Sequence, residues 1–126
     1  MTLALALLAA APAMPVAPPA SDVSREIVVI AKQMRGWKGG VSKVNGRMVC
    51  RTSQSSGDKA LDAIRCGAML TCMKPLEPRI DALMGSDRSR REKRDGFDAM
   101  AKGIEPCVTA YEADAVSRLA ATRVRP

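Results

Sequence analysis

The sequence contains no histidine, and only one Trp, one Tyr and one Phe among its 126 residues. Catalytic serines or cysteines that are activated by histidine, and metal sites with imidazole ligands, are therefore excluded. Because aromatic side chains are so scarce, the aliphatic residues and eight methionines must fill the interior. Methionine adapts to its surroundings and specifies a packing arrangement poorly, so we expect covalent cross-links to support the fold.

An uncharged apolar segment, MTLALALLAAAPA, occupies residues 1–13 and ends in the small residues that a signal peptidase accepts. We predict a signal peptide at 1–13, a Pro- and Ala-rich spacer at 14–24, and a single domain at 25–126. The alternative for the first segment is a helix that packs on the domain. No transmembrane segment is expected after processing, since a bilayer-spanning helix needs about 20 apolar residues. The expected location is the periplasm or the exterior of the cell.

The cysteines are Cys50, Cys66, Cys72 and Cys107. An even number of cysteines in an exported protein is typical of disulfides. Cys66 and Cys72 fall in one predicted helix, which separates their Cα atoms by about 9 Å, whereas a disulfide tolerates at most about 7 Å. Of the two remaining pairings we prefer Cys50 with Cys66 and Cys72 with Cys107, because Cys66 and Cys72 lie on different faces of the helix. No CxxC or cofactor motif is present, so we predict neither a metal nor a cofactor.

The first half of the domain has the pattern of a small sheet. Residues 26–32 (EIVVIAK) have a continuous β-branched centre, which is typical of a buried strand. Asn45-Gly46 indicates a type I′ hairpin between residues 41–44 and 47–51. In that hairpin Val41, Met48 and Cys50 share one face, so the cysteine points inward.

The second half has the period of amphipathic helices. A motif resembling a capping box at residues 55–58 precedes a helix over about 58–73, and a second, short helix ends at Gly85. Ser89 and Glu92 indicate another capping box, before an apolar stripe at residues 97, 100, 101 and 104. Pro106 is expected to divide this helix from a last one with an apolar face at residues 108, 111, 115 and 119. The predicted fold class is α+β: a small N-terminal antiparallel sheet with a hairpin, then three to four helices, with two disulfides.

Positive charge is concentrated at residues 25–51, which carry seven basic side chains and one acid, Glu26. Such a surface attracts anions; the alternative is a solubilising surface that protects a sheet edge from aggregation. Trp37 lies among glycines and cations, and either caps the core or stacks on a ligand. The candidate binding residues are Trp37, Arg35, Lys38, Lys43, Arg47 and Arg51.

Two further groups of charged residues are weaker candidates. Asp58 and Asp62 lie one helical turn apart and form a possible acid/base pair, but Arg65 on the same face is expected to keep both ionised. The simpler interpretation is that these acids compensate the partial charge of a helix N-terminus. The basic run at residues 88–94 alternates with acids, which is typical of a solvated helix face.

Residues 26–31 (EIVVIA) resemble the TonB box of outer-membrane receptors, a segment that pairs as a strand with TonB. More broadly, residues 25–110, from EIVVIAKQMRGWKGG to the region after TCMKP, resemble a group of small, uncharacterised secreted proteins of alphaproteobacteria. That resemblance implies a periplasmic or exported location and supplies no activity, substrate or site.

These features favour an exported, disulfide-stabilised binding or structural module rather than an enzyme. Its expected partners, contacted through a basic sheet face, are anionic lipid, lipopolysaccharide, cell-wall polymer or an envelope protein. One alternative is a small carboxylate-dependent hydrolase, which needs an Asp or Glu with a raised pKa in a cleft. The other is a nucleic-acid-binding protein; no nucleic acid is expected, because single-strand binders stack bases on several aromatic side chains.

Overall fold

The computed structural model describes residues 11–12 and 20–125. The elements follow in the order α1 Ala20–Met34, β1 Lys38–Val44, β2 Arg47–Gln54, α2 Lys59–Met73, a 3-10 helix Lys74–Leu76, α3 Glu77–Met84, α4 Arg90–Gly103 and α5 Glu105–Arg123. The α+β class is confirmed, as is the hairpin followed by helices. Apart from residues 11–12, the predicted signal peptide and residues 14–19 of the predicted spacer lie outside the described residues. Residues 20–24 of that spacer are helical.

The predicted strand at residues 26–32 is wrong, because these residues lie inside helix α1. Val28 and Val29 make the apolar run look continuous, yet they are 62% and 56% exposed. The residues of α1 that pack on the core follow a helical spacing: Val23, Ile27, Ile30 and Met34. A short apolar run does not by itself distinguish a helix from a strand, and here the helical period decides.

The hairpin and its turn are confirmed. Asn45 and Gly46 have φ values of 52° and 74°, the left-handed backbone that a type I′ turn needs at both central residues. The antiparallel register pairs Val41 with Cys50, and Lys43 with Met48. Because side chains alternate across a strand, Val41, Met48 and Cys50 share one face as predicted.

Helix α2 begins differently from the expected capping box. Its N-cap is Asp58 itself, whose carboxylate accepts hydrogen bonds from the backbone N–H groups of Ala60 and Leu61. At α4 the prediction is confirmed, since the Ser89 hydroxyl accepts a hydrogen bond from the Glu92 backbone N–H at 3.1 Å.

Pro106 divides α4 from α5 as predicted, at the first turn of α5, where no intrahelical donor is lost. The expected apolar face of α5 is confirmed in part, since Val108 and Leu119 pack against the core. Tyr111 is exposed, and the buried positions are Val116 and Ala120, each one residue beyond an expected position.

Two clusters of buried side chains form the core. The first joins α1, α2 and α5 through Ile30, Met34, Leu61, Val116 and Ala120. The second joins α2 and α3 to the junction of α4 and α5 through Cys72, Met73, Ile80 and Ile104. Met48 of the hairpin packs against the second cluster.

Both preferred disulfides are present. Cys50 pairs with Cys66, with Cα atoms 5.6 Å apart, and Cys72 pairs with Cys107, with Cα atoms 5.9 Å apart. The first disulfide joins the hairpin to α2, and the second joins α2 to α5.

Candidate anion-binding surface

The two faces of the hairpin have different surroundings. The inner face carries Cys50, which is bonded to α2, and Met48, which packs on the core. Alternation places Arg47, Val49 and Arg51 on the outer face, away from the helices. Both arginines are exposed, and their Cα atoms are separated by four residues of strand, or about 13 Å. We call Arg47 and Arg51 the outer basic pair.

Lys43 does not belong to this surface, although the sequence places it in the same basic segment. It lies on the inner face, where its Nζ is 2.7 Å from Glu77 Oε1 and 3.1 Å from Asp81 Oδ1 on α3. The hydrogen bond to Glu77 is the main reason why the pKa of Lys43 is raised. The two carboxylates balance the positive charge of the ammonium group, so Lys43 is not expected to attract an external anion.

Trp37 does not belong to this surface either, because its side chain lies in the core and the residue is only 5% exposed. Its indole Nε1 donates a hydrogen bond to Thr52 Oγ1 at 2.9 Å. The Arg65 guanidinium lies over the ring, 5.0 Å from its centroid. A side chain at position 39 would overlap the ring, since a Cβ there would lie 2.4 Å from it, so Gly39 is needed for this packing. Of the two interpretations of Trp37, the structure supports the core.

Arg35 and Lys38 remain exposed. Lys38 lies at the open end of the hairpin, two residues along β1 from Gly40, which pairs with Arg51. Arg35 follows the end of α1 and lines a small groove between α1 and α5. Within residues 20–125, neither of these cations nor the outer basic pair forms an ion pair.

Asp58 and Asp62 serve the start of helix α2. Besides capping the helix, Asp58 accepts a hydrogen bond from Arg123 on α5 at 2.5 Å, which is the main cause of its lowered pKa. Hydrogen bonds from Ser55 and Ser56 lower the pKa of Asp62. Both carboxyl groups are therefore ionised near neutral pH, the opposite of what a general acid in a hydrolase requires.

The expected role of Arg65 is corrected as well. Its Nη1 lies 2.7 Å from Glu112 Oε1 on α5 rather than beside Asp62. The partner of Asp58, Arg123, also comes from α5. Nothing in the local spacing of α2 signals either contact, because the partners are 47 and 65 residues away along the chain.

Comparisons with protein families, with curated proteins and with solved structures find no match to this chain. In the described part of the chain, no cluster of three or more Cys, Asp or Glu side chains is arranged to hold a metal ion. None of the described helices is long and apolar enough to cross a membrane. The exposed guanidinium groups of the outer basic pair therefore point to an anion as the ligand.

Proposed function

We propose that this protein is an exported, disulfide-linked binding module that attaches to phosphate groups of the cell envelope through Arg47 and Arg51. The observation that carries the proposal is the placement of these two exposed arginines on one face of the hairpin, with no acid paired to either among residues 20–125. A guanidinium group binds phosphate through two parallel hydrogen bonds, which makes arginine well suited to this ligand.

The spacing of the outer basic pair favours a polyanionic surface over a single small anion. The two side chains start about 13 Å apart, with Val49 between them. Two phosphate groups on neighbouring molecules, or at two positions of one larger molecule, match such a spacing. Phospholipid head groups and the phosphates of lipopolysaccharide both offer this chemistry.

Export is the second part of the proposal. Two disulfides fit an oxidising compartment outside the cytosol, and the predicted signal peptide at residues 1–13 is in agreement with it. The periplasm or the exterior would bring the protein into contact with both sources of phosphate.

The test compares two double variants that lose the same charge. Arg47→Gln/Arg51→Gln removes the outer basic pair, whereas Lys32→Gln/Arg91→Gln removes two exposed cations from α1 and α4. Binding is measured to phosphatidylglycerol vesicles and to lipopolysaccharide, at low and high salt. With about 1 kcal/mol for each arginine near an anionic surface, the first variant should bind about 30-fold more weakly than wild type, and the second much less so.

Equal losses in the two variants would overturn the proposal, since binding would then depend on net charge alone. Absence of salt-sensitive binding by the wild-type protein would overturn it too. Binding to vesicles but not lipopolysaccharide, or the reverse, identifies the source of the phosphate and supports the proposal in either case.

A further inference from the structure

A groove of about 820 Å³ lies between α3, α4 and the start of α5, on the helical part of the molecule. The Cys72–Cys107 disulfide, Leu76, Leu83 and Met100 line it. Ligand sites typically have volumes of roughly 300–1,000 Å³ and are mostly apolar, with a few polar groups. The groove has this size and character, and it is separate from the outer face of the hairpin.

Small residues of α4 keep the groove open. Gly96, Ala99 and Gly103 recur at i, i+3 and i+7, so they lie on one face of the helix, and all three line the groove. At Gly96 helices α3 and α4 are in close contact, because a Cβ there would lie 2.9 Å from a methyl group of Leu83 on α3. At Gly103 an added Cβ would meet no atom of another described residue within 4 Å, so these residues leave the space beside it unfilled.

Two arginines give the groove a positive charge. Arg79 on α3 and Arg88, in the loop before α4, both line it, and both are exposed. Neither forms an ion pair with any residue in the range 20–125. Among the described residues, no acidic side chain lines the groove. An apolar ligand with a negative group is therefore complementary to it, and a cationic one is not.

We propose that this groove binds a single alkyl chain that ends in a carboxylate or a phosphate, as in a fatty acid or an alkyl phosphate. The chain lies along α3, whose eight residues extend about 12 Å, and packs beside Leu83 and the small residues of α4. Arg79 is the third residue of α3 and Arg88 lies four residues after its end, so the two arginines flank the groove and attract the negative group. This site does not depend on the proposed function of the outer basic pair, because it uses different residues on a different surface.

The first experiment locates the ligand on the full-length protein labelled with ¹⁵N. Dodecanoate and dodecyl phosphate are added below their micelle-forming concentrations, with dodecyltrimethylammonium as a probe of equal chain length and opposite charge. The amide signals of Gly96 and Gly103 should shift with both anionic probes, while that of Gly46 in the hairpin turn should not. Shifts confined to residues outside the groove, or equal shifts with the cationic probe, would contradict the proposal.

The second experiment uses two pairs of variants, with Kd measured by the same titration. Arg79→Gln/Arg88→Gln should weaken binding of the anionic probes about tenfold, because charged hydrogen bonds are lost, whereas Lys32→Gln/Arg91→Gln should not. Ala99→Phe fills the groove from an exposed position and should abolish binding, whereas Ala60→Phe at the start of α2 should leave it intact. Unchanged binding in Ala99→Phe overturns the proposal. Absence of binding by the wild-type protein also overturns it, and leaves an acidic amphipathic helix of a protein partner as the occupant to be tested.

Discussion

Asp62 accepts three hydrogen bonds from the two serines that precede helix α2: from the hydroxyl groups of Ser55 and Ser56 at 2.5 and 2.6 Å, and from the Ser56 backbone N–H at 2.9 Å. These bonds favour the ionised carboxylate, so the pKa of Asp62 in the folded protein lies below its ordinary value of 3.8. Its contribution to stability is therefore complete above the pKa of the unfolded state, and is lost as the pH falls through the lower pKa of the folded state.

Asp62→Asn should therefore lower the free energy of unfolding at pH 7, and its difference from wild type should shrink in acid. Urea unfolding at pH 7 and again below the folded-state pKa measures this difference. The matched control is Asp98→Asn, an exposed acid of α4 that forms no ion pair with any residue in the range 20–125. A deficit in Asp62→Asn that stays the same at both pH values would show that the ionised carboxylate does not stabilise the fold.

Single residues show where prediction from the sequence succeeds and where it fails. The rise of α2 excludes only a bond between Cys66 and Cys72 and leaves two pairings. The different helix faces of these two cysteines favour one of them, and that is the pairing in the structure. The ion pair between Arg65 and Glu112 depends on how α5 packs across α2, and no local pattern contains that information. Among the candidate binding residues, Lys43 lies on the inner face of the hairpin, beside Glu77. A count of charges along the chain does not tell the inner face of the hairpin from the outer one.

At the scale of elements, the turn and the helix ends were predictable because each depends on a few adjacent residues. Asn45-Gly46, Ser89 and Pro106 all act as their local chemistry requires. Helix α1 was not predictable in this way, because its two exposed valines, Val28 and Val29, obscure the helical spacing of the residues that face the core. The packing of α1 on α5, which buries Ile30, is a tertiary contact and resolves the ambiguity.

The helical assignment of α1 predicts opposite effects for neighbouring substitutions. Val28→Ala/Val29→Ala replaces exposed β-branched residues with the best helix former, so the free energy of unfolding should be unchanged or higher by up to about 1 kcal/mol. Ile30→Ala removes a fully buried side chain and should cost about 2–5 kcal/mol. Urea unfolding of the three proteins tests both. If the double valine variant lost as much stability as Ile30→Ala, residues 26–32 would be packed on both faces, as in a buried strand.

For the molecule as a whole, helices α2 and α5 hold the parts together. Both contribute to the first core cluster, and the Cys72–Cys107 disulfide links them beside the second. The hairpin needs contacts with the helices, because a two-stranded sheet is only marginally stable on its own. Its attachment to the helices depends on Met48, Trp37, the ion pairs of Lys43 and the Cys50–Cys66 disulfide.

Removal of each disulfide should therefore have a different effect on stability and on hydrogen exchange. Loop-closure entropy assigns about 3 kcal/mol to Cys50–Cys66 and about 4 kcal/mol to Cys72–Cys107, whose partners are 16 and 35 residues apart. In Cys50→Ala/Cys66→Ala we expect hydrogen exchange to accelerate mainly at the amides of β1 and β2, because the hairpin separates from α2 while the helices remain packed. In Cys72→Ala/Cys107→Ala we expect a larger loss of stability and faster exchange throughout α2 and α5, because this cross-link joins two helices of the core. Uniform acceleration of hydrogen exchange in both variants would show that the hairpin and the helices unfold as one unit. If the wild-type protein were equally stable with and without excess reductant, neither disulfide would support the fold.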